Sequence, residues 1–307
     1  MSGPLAGVLV VDKPAGPTSH DVVARVRSAL QVRRAGHTGT LDPFATGVLP
    51  ICVGKATRLA RFLAARDKSY RATLRLGFAT STDDATGMPL GPARRVALDP
   101  AALAAACRAL TGEILQVPPA FSARHVEGKR LYEWARQGVA VARPATRVTV
   151  HALEIVSVGA DEVELDVRCS TGTYVRALAR DLGEMLGCGA NLSALRRTRS
   201  GSLGLEGAVG WDEIGEGCAS RLLPLEALLP ELPAVPLNEE GREAVRHGRP
   251  VSRRHVVGGL PDPPAARVRL VDAEGRLLAL AVPRGGAAPG SGLSSEAVLQ
   301  PDVVLVE

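Results

Sequence analysis

The sequence predicts an α+β fold followed by a smaller β-rich domain, and three observations carry that reading. Tyr70–Phe78 and Val163–Cys169 alternate apolar and polar residues, the period of a strand with one buried face. Apolar residues at helical spacing stand between these strands and on either side of them. Prolines at positions 230, 233 and 236 then mark a boundary, and a hairpin pattern follows it.

Each element has its own signal. Val8–Val11 is an apolar run suited to a buried strand, and Asp12-Lys13-Pro14-Ala15-Gly16-Pro17 is a turn. Thr18 and Asp21 form a capping-box pattern, so a helix follows with Val22, Val23, Val26 and Leu30 on one face. Gly36–Pro50 reads as a loop and Ala56–Ala65 as a further helix. Pro100–Leu110 is alanine-rich and helical. The strand Val163–Cys169 runs into Ser170-Thr171-Gly172-Thr173-Tyr174. A helix then carries Val175, Leu178, Ala179, Leu182 and Leu186 at helical spacing. In the tail, Arg267–Val271 and Leu277–Val282 flank Asp272-Ala273-Glu274-Gly275, a hairpin. Gly285–Gly292 is rich in Gly, Ala and Pro and reads as a mobile loop. A first domain at 1–230 and a small β-rich domain at 237–307 are expected, and no internal repeat is present.

Composition bounds the function. The 307 residues are 46% hydrophobic and 22% charged, which suits a folded chain with a sizeable core. Lys and Arg exceed Asp and Glu by 37 to 32, an excess that permits a polyanionic partner without demanding one. The five cysteines are scattered with no C-x-x-C, so reduced, buried thiols are expected rather than a disulfide framework. The first residues lack a basic, apolar leader, and no apolar run reaches membrane-spanning length. A cytoplasmic monomer without membrane contact is the expectation. Gly54-Lys55 lacks the rest of a phosphate loop, since Leu49 and Ala56 stand where Gly and a hydroxyl are needed. Zinc-deaminase, metal-cluster and G-x-S-x-G patterns are absent as well. A reaction needing neither cofactor nor metal gains weight.

The most informative stretch is Gly36–Pro50. It sets a single carboxylate, Asp42, among three glycines, three threonines and His37. Pro43 stiffens the chain and pushes Asp42 toward an extended conformation. An acid held on such a loop suits a nucleophile or base, although an isolated Asp-Pro is most often a turn residue.

Five segments in order resemble the pseudouridine synthases of the branch that modifies the T-loop of tRNA. They are Gly7–Val23; Arg34–Gly54; Lys68–Gly77 with Thr80–Gly87; Pro118–Gly138; and Ser170–Leu182 with Leu192–Arg197. The resemblance implies a mixed, largely antiparallel sheet flanked by helices, with the site in a cleft across it. It implies an isomerase that converts uridine 55 of the T-loop to pseudouridine without a cofactor. By the same resemblance Asp42 is the essential catalytic residue, Arg176 its ionic partner, and Tyr174 a residue beside the base that assists proton removal at C5. Tyr70 is the stacking platform for the flipped base, Leu195 an apolar neighbour of it, and His37 a wedge in the T-loop. Lys13 and Asp84 fall on motif positions grouped with the RNA site; Lys13 reads as a support of the active-site loop. Ser81 stands where the family usually has another acid.

Pro118–Gly138 resembles an RNA-contacting insertion, spanning about residues 115–145. Its Arg124 and Lys129 join other basic clusters, at Arg33/Arg34, Lys55/Arg58/Arg61, Arg66/Lys68 and Arg196/Arg197/Arg199, as a phosphate track for the tRNA T-arm. The tail resembles the small β domain these enzymes carry for RNA contact. A tRNA-binding folding factor is the alternative; it needs the basic clusters but has no use for Asp42, Tyr70, Tyr174 and Arg176 together. A nucleosidase acting on free nucleosides would release uracil and leaves the insertion and tail without a purpose.

Overall fold

The computed structural model describes residues 5–122, 124–126, 128–260, 265–284 and 298–306. The Gly285–Gly292 segment lies outside the described residues.

The chain opens with β1 (Gly7–Lys13), α1 (Ser19–Ala29), β2 (Ala35–His37) and β3 (Thr46–Val53). The expected capping box is present: the Asp21 N–H donates to Thr18 Oγ1, and the Thr18 N–H donates to the Asp21 carboxylate. A 3₁₀ turn at Gly54–Leu59 leads into α2 (Ala60–Ala64), where the sequence had suggested one continuous helix. The Thr57 hydroxyl donates to the Gly54 carbonyl and draws the first turn tight. Then come β4 (Lys68–Leu76), α3 (Pro100–Ala109), β5 (Gly112–Gln116), the short pair β6 (His125–Val126) and β7 (Lys129–Arg130), and α4 (Leu131–Arg136). The first sheet is completed by β8 (Thr146–Val158), β9 (Glu162–Cys169), α5 (Val175–Met185), β10 (Ala190–Ser200) and β11 (Val209–Gly210). The tail adds β12 (Ala234–Pro236), α6 (Glu239–Arg246), β13 (Val268–Val271), β14 (Leu277–Arg284) and β15 (Val298–Val304).

Nine strands form the main sheet in the order β11-β1-β3-β10-β4-β9-β8-β5, with β2 paired to β3 at one side. Only the β1–β11 and β3–β10 pairings are parallel, so the sheet is mixed and largely antiparallel. One face buries Leu74, Leu165 and Val163 under Val22 and Val26 of α1, Leu103 of α3, and Leu178 and Leu182 of α5. On β4 the opposite face carries Arg71 and Arg75, which pair with Asp166 at 2.6 Å and Asp161 at 3.5 Å.

Val8–Val11 lacks alternation because both of its faces are covered. Leu9 and Val11 face the helices, while Val8 and Val10 pack with Leu277, Leu280, Val303 and Leu305 of the tail. The tail is a four-stranded sheet, β12-β13-β14-β15. Arg58 donates to the Val304 carbonyl across this junction, and the guanidinium groups of Arg61 and Arg267 lie 4.7 and 4.6 Å from the ring centre of Phe62.

Two close approaches fix the site's frame. Gly47 has φ +99°, and a Cβ there would meet the Arg197 carbonyl oxygen at 2.2 Å, where β3 comes against β10. A Cβ on Gly183 would meet the Ala190 nitrogen at 2.2 Å, where α5 seats on the start of β10.

All five cysteines are free, and four of them are buried. Burial pushes the thiols of Cys52 and Cys169 up to about 12 and about 11, so they pack as small apolar groups. Among the described residues no helix is long and apolar enough to cross a membrane.

Candidate active site

Asp42 lies on the loop between β2 and β3, and the backbone on both sides of it is pinned. The Leu41 N–H donates to Ser19 Oγ at 2.9 Å, and that hydroxyl donates back to the Leu41 carbonyl at 3.0 Å. Beyond Asp42, the Gly16 N–H donates to the Pro43 carbonyl at 2.8 Å. The Lys13 ammonium reaches Pro14, Pro43 and Ala45 carbonyls at 2.9, 3.1 and 2.7 Å. Lys13 is fully buried, which brings its ammonium down to about 8; the Asp42 charge holds it up and Arg197 adds to the fall. Three carbonyls thus replace the water this cation has lost.

Arg176, on the first turn of α5, meets Asp42 with a fork. Its Nε lies 2.9 Å from Oδ2 and its Nη2 3.3 Å from Oδ1. The same guanidinium donates to the Thr82 carbonyl at 2.9 Å and the Phe121 carbonyl at 2.8 Å, and stands 3.5 Å from Asp84. Such a charge-assisted pair fixes a carboxylate in orientation as well as position. The guanidinium favours the ionised acid, as the sequence suggested, but it does not prevail. Burial pushes the Asp42 carboxyl above the usual aspartate range, against Arg176, with Asp84 adding to the rise and Lys13 opposing it. The Asp42 side chain still keeps 34% of its surface open, toward the cleft.

That cleft has a volume of about 610 Å³, within the range of about 300–1,000 Å³ usual for small-ligand sites. Asp42, Tyr70, Tyr174, Arg176 and Leu195 all line it, brought together from three of the five segments. Tyr70 stands in β4 opposite Arg197 of β10. Burial raises its hydroxyl, and the adjacent Arg197 guanidinium works against that rise.

The other expected residues take different places. Lys13 and Asp84 are 0% and 4% exposed, so their side chains face the protein, where they hold the Asp42 loop and Arg176. Asp84 braces Arg176 while accepting from Thr82, Thr86 and the Thr86 N–H. His37 is half-buried beside the cleft, edge-on to His20 at 5.4 Å between ring centres. Its ring accepts from the Gly39 N–H, and burial lowers its affinity for a proton. Arg124 bonds Thr146, and Lys129 lies 4.5 Å over the Trp134 ring; neither lines the cleft. From the insertion the cleft receives Arg130, Tyr132 and Arg136 instead.

Sequence reasoning missed Ser19 and Gln116, and it read Lys68 and Arg197 as part of a phosphate track, whereas both are buried and bonded to the protein. Lys68 lies on the buried parity of β4, with Tyr70, Ala72 and Leu74; a lysine in that register was the available signal. Its ammonium, brought by burial down to about 8, bonds the carbonyls of Ala64 and Arg66 and the Thr171 hydroxyl. Arg197 is 1% exposed and donates to the Val48 and Gly39 carbonyls, tying the loop to β10. Ser19 and Gln116 gave no local signal, because their partners lie 22 and 58 residues away.

A mixed sheet with a cleft lined by a guanidinium-held aspartate and two tyrosines is an arrangement suited to an enzyme acting on a flat ring. The comparisons narrow this. Residues 27–175 match the TruB family pseudouridylate synthase (N terminal domain), and residues 176–229 match the tRNA pseudouridylate synthase B C-terminal domain. The tRNA pseudouridine synthase B of Burkholderia pseudomallei is 44% identical over 98% of this chain and 97% of its own length. That of Cupriavidus metallidurans is 45% identical over 92% of this chain and 91% of its own. Among solved structures, a Cbf5-Nop10-Gar1 complex superposes with a TM-score of 0.73 at 28% identity, over 98% of this chain and 85% of that one. The chain belongs to the TruB family of pseudouridylate synthases.

Proposed function

We propose that this isomerase acts on the T-loop of tRNA, converting uridine 55 to pseudouridine with Asp42 as the essential carboxylate. The bidentate Asp42–Arg176 pair, open to a cleft walled by Tyr70 and Tyr174, carries the reading. The reaction breaks the N1–C1′ bond, turns the uracil, joins C5 to C1′ and releases the C5 proton. Every atom other than that exchanged proton stays in the product, so the chemistry calls for positioning and proton transfer rather than a group donor.

The base must leave its stack to reach Asp42, at a cost of a few kcal/mol. Stacking on an aromatic ring returns about 1–3 kcal/mol per base, and Tyr70 is the ring in place for it. Ionised Asp42 serves as nucleophile or base, with Tyr174 beside the ring for removal of the C5 proton. His37, edge-on to the cleft-lining His20, serves to fill the space the base has left. The insertion, through Arg130, Tyr132 and Arg136, and the tail sheet hold the T-arm of a single tRNA on a monomer. The cytoplasm is the proposed place of action.

Incubating unmodified tRNA labelled with tritium at C5 tests this. Release matched by one pseudouridine at position 55 supports the reading. Free uracil would instead indicate a nucleosidase, and tight binding without release an RNA-folding factor.

A further inference from the structure

Tyr174 is held by something other than its own loop. Gln116, the last residue of β5, is 1% exposed, and its side-chain amide faces the Tyr174 backbone. Gln116 Oε1 accepts from the Tyr174 N–H at 2.8 Å, and Gln116 Nε2 donates to the Tyr174 carbonyl at 3.1 Å. One primary amide thus satisfies both backbone groups of one residue, as a neighbouring strand would. Tyr174 is also the N-cap of α5, and no side chain of its own caps that helix. The clamp therefore holds the N-cap of α5, two residues before Arg176.

The chain leaving Gln116 continues the attachment. The Val117 carbonyl accepts from Arg180 at 3.1 Å and the Phe121 carbonyl accepts from Arg176 at 2.8 Å. The root of the insertion is bonded to the helix that presents Arg176 to Asp42.

We propose that Gln116 is a positioning residue of the isomerisation: its amide fixes the Tyr174 ring in the cleft and, through the start of α5, the Arg176 fork on Asp42. The proposal rests on the reading of Tyr174 and Arg176 as members of the pseudouridylation site. Gln116 itself does not line the cleft, so it acts through these two residues and not on RNA.

Single-turnover tritium release and the Kd for the same C5-labelled T-stem-loop RNA are measured for the wild type, Gln116→Met and Gln116→Glu. Wild-type release in these reactions checks the underlying reading separately. Gln116→Met removes both bonds at nearly constant volume. Its rate at fixed temperature falls about 10–100-fold, the scale of a small misplacement of reacting groups, while Kd stays within about twofold. In Gln116→Glu the ionised carboxylate opposes the Tyr174 carbonyl, but the protonated acid restores both an acceptor and a donor. Its rate relative to wild type therefore rises as pH is lowered, and burial moves that rise above the ordinary glutamate range. A purely structural glutamine would lower thermal stability without that pH signature. A folded Gln116→Met with the wild-type rate, or a Gln116→Glu ratio flat in pH, would overturn the proposal. Should Gln116→Met fail to fold, the Gln116→Glu ratio decides alone.

Discussion

The Asp42 loop and the insertion that follows β5 face one another across the cleft and are built on opposite principles. Around Asp42 the side chains that hold the loop are buried and matched: Lys13 on three carbonyls, Ser19 on Leu41, Arg197 on Val48 and Gly39, Arg176 on Asp42. In the insertion α4 buries only Leu131, and its cations rest on aromatic rings near the surface. Chemistry gains from groups fixed before the substrate arrives, whereas contact with a phosphate backbone needs charge within reach of water and counterions. The contrast separates two kinds of damage: lesions in the loop reduce the rate of the bound complex, and lesions in the insertion weaken binding.

Arg176→Lys is the sharpest break within the rigid region short of removing Asp42. A lysine cannot supply the fork, and the single-turnover rate falls by about 10²–10³-fold, the scale of losing a preorganised charged donor. Kd for RNA changes little. Lys13→Met comes next, because it releases the Pro43 and Ala45 carbonyls. A rate loss of about tenfold is expected, corresponding to about 1.4 kcal/mol of transition-state stabilisation.

The pH profile sharpens the picture further. The proposed role requires Asp42 ionised, and its carboxyl is raised by burial, so activity falls with acid at a pH above the usual aspartate range. Arg176→Lys, which loosens the group opposing that rise, moves the acid limb higher still. On the alkaline side Lys13, near 8, loses its charge and one of its three donors as pH rises, and the rate declines. That decline is absent from Lys13→Met. A profile with no acid limb above the ordinary aspartate range would contradict the burial of Asp42.

The smallest effects belong to the insertion. Arg136→Ala removes a cation from the cleft wall. It weakens RNA binding several-fold and reduces the salt slope of log Kd by about one, while the rate at saturating RNA is unchanged. A lower saturating rate would show that the insertion shares in the chemistry.

What could be read from sequence divides along physical lines. The helix at 19–29, the strands at 68–76 and 162–169, and the tail hairpin were legible because their signals are periodic or local. β3 was hidden, since Pro50 argues against a central strand yet lies opposite Val10 in its register. The residues that converge on the cleft were legible only through their resemblance to a family. The groups that pin them were not: Ser19, Gln116 and Arg197 act through bonds to backbone 22, 58 and 149 residues away, and a hydroxyl, an amide or a guanidinium carries no mark of which distant carbonyl it will meet. Asp84 and Lys13 sat on motif positions, but only the structure shows that they are buried against the protein.

The most direct measurement compares wild type and Asp42→Asn for tritium release from a C5-labelled T-stem-loop RNA, with binding of that RNA measured alongside. Wild type releases tritium. Asp42→Asn binds within about twofold and releases it more slowly by at least about 10⁴-fold, as when a nucleophilic side chain is removed. Appreciable release by folded Asp42→Asn would contradict the assignment of this carboxylate as the centre of the site.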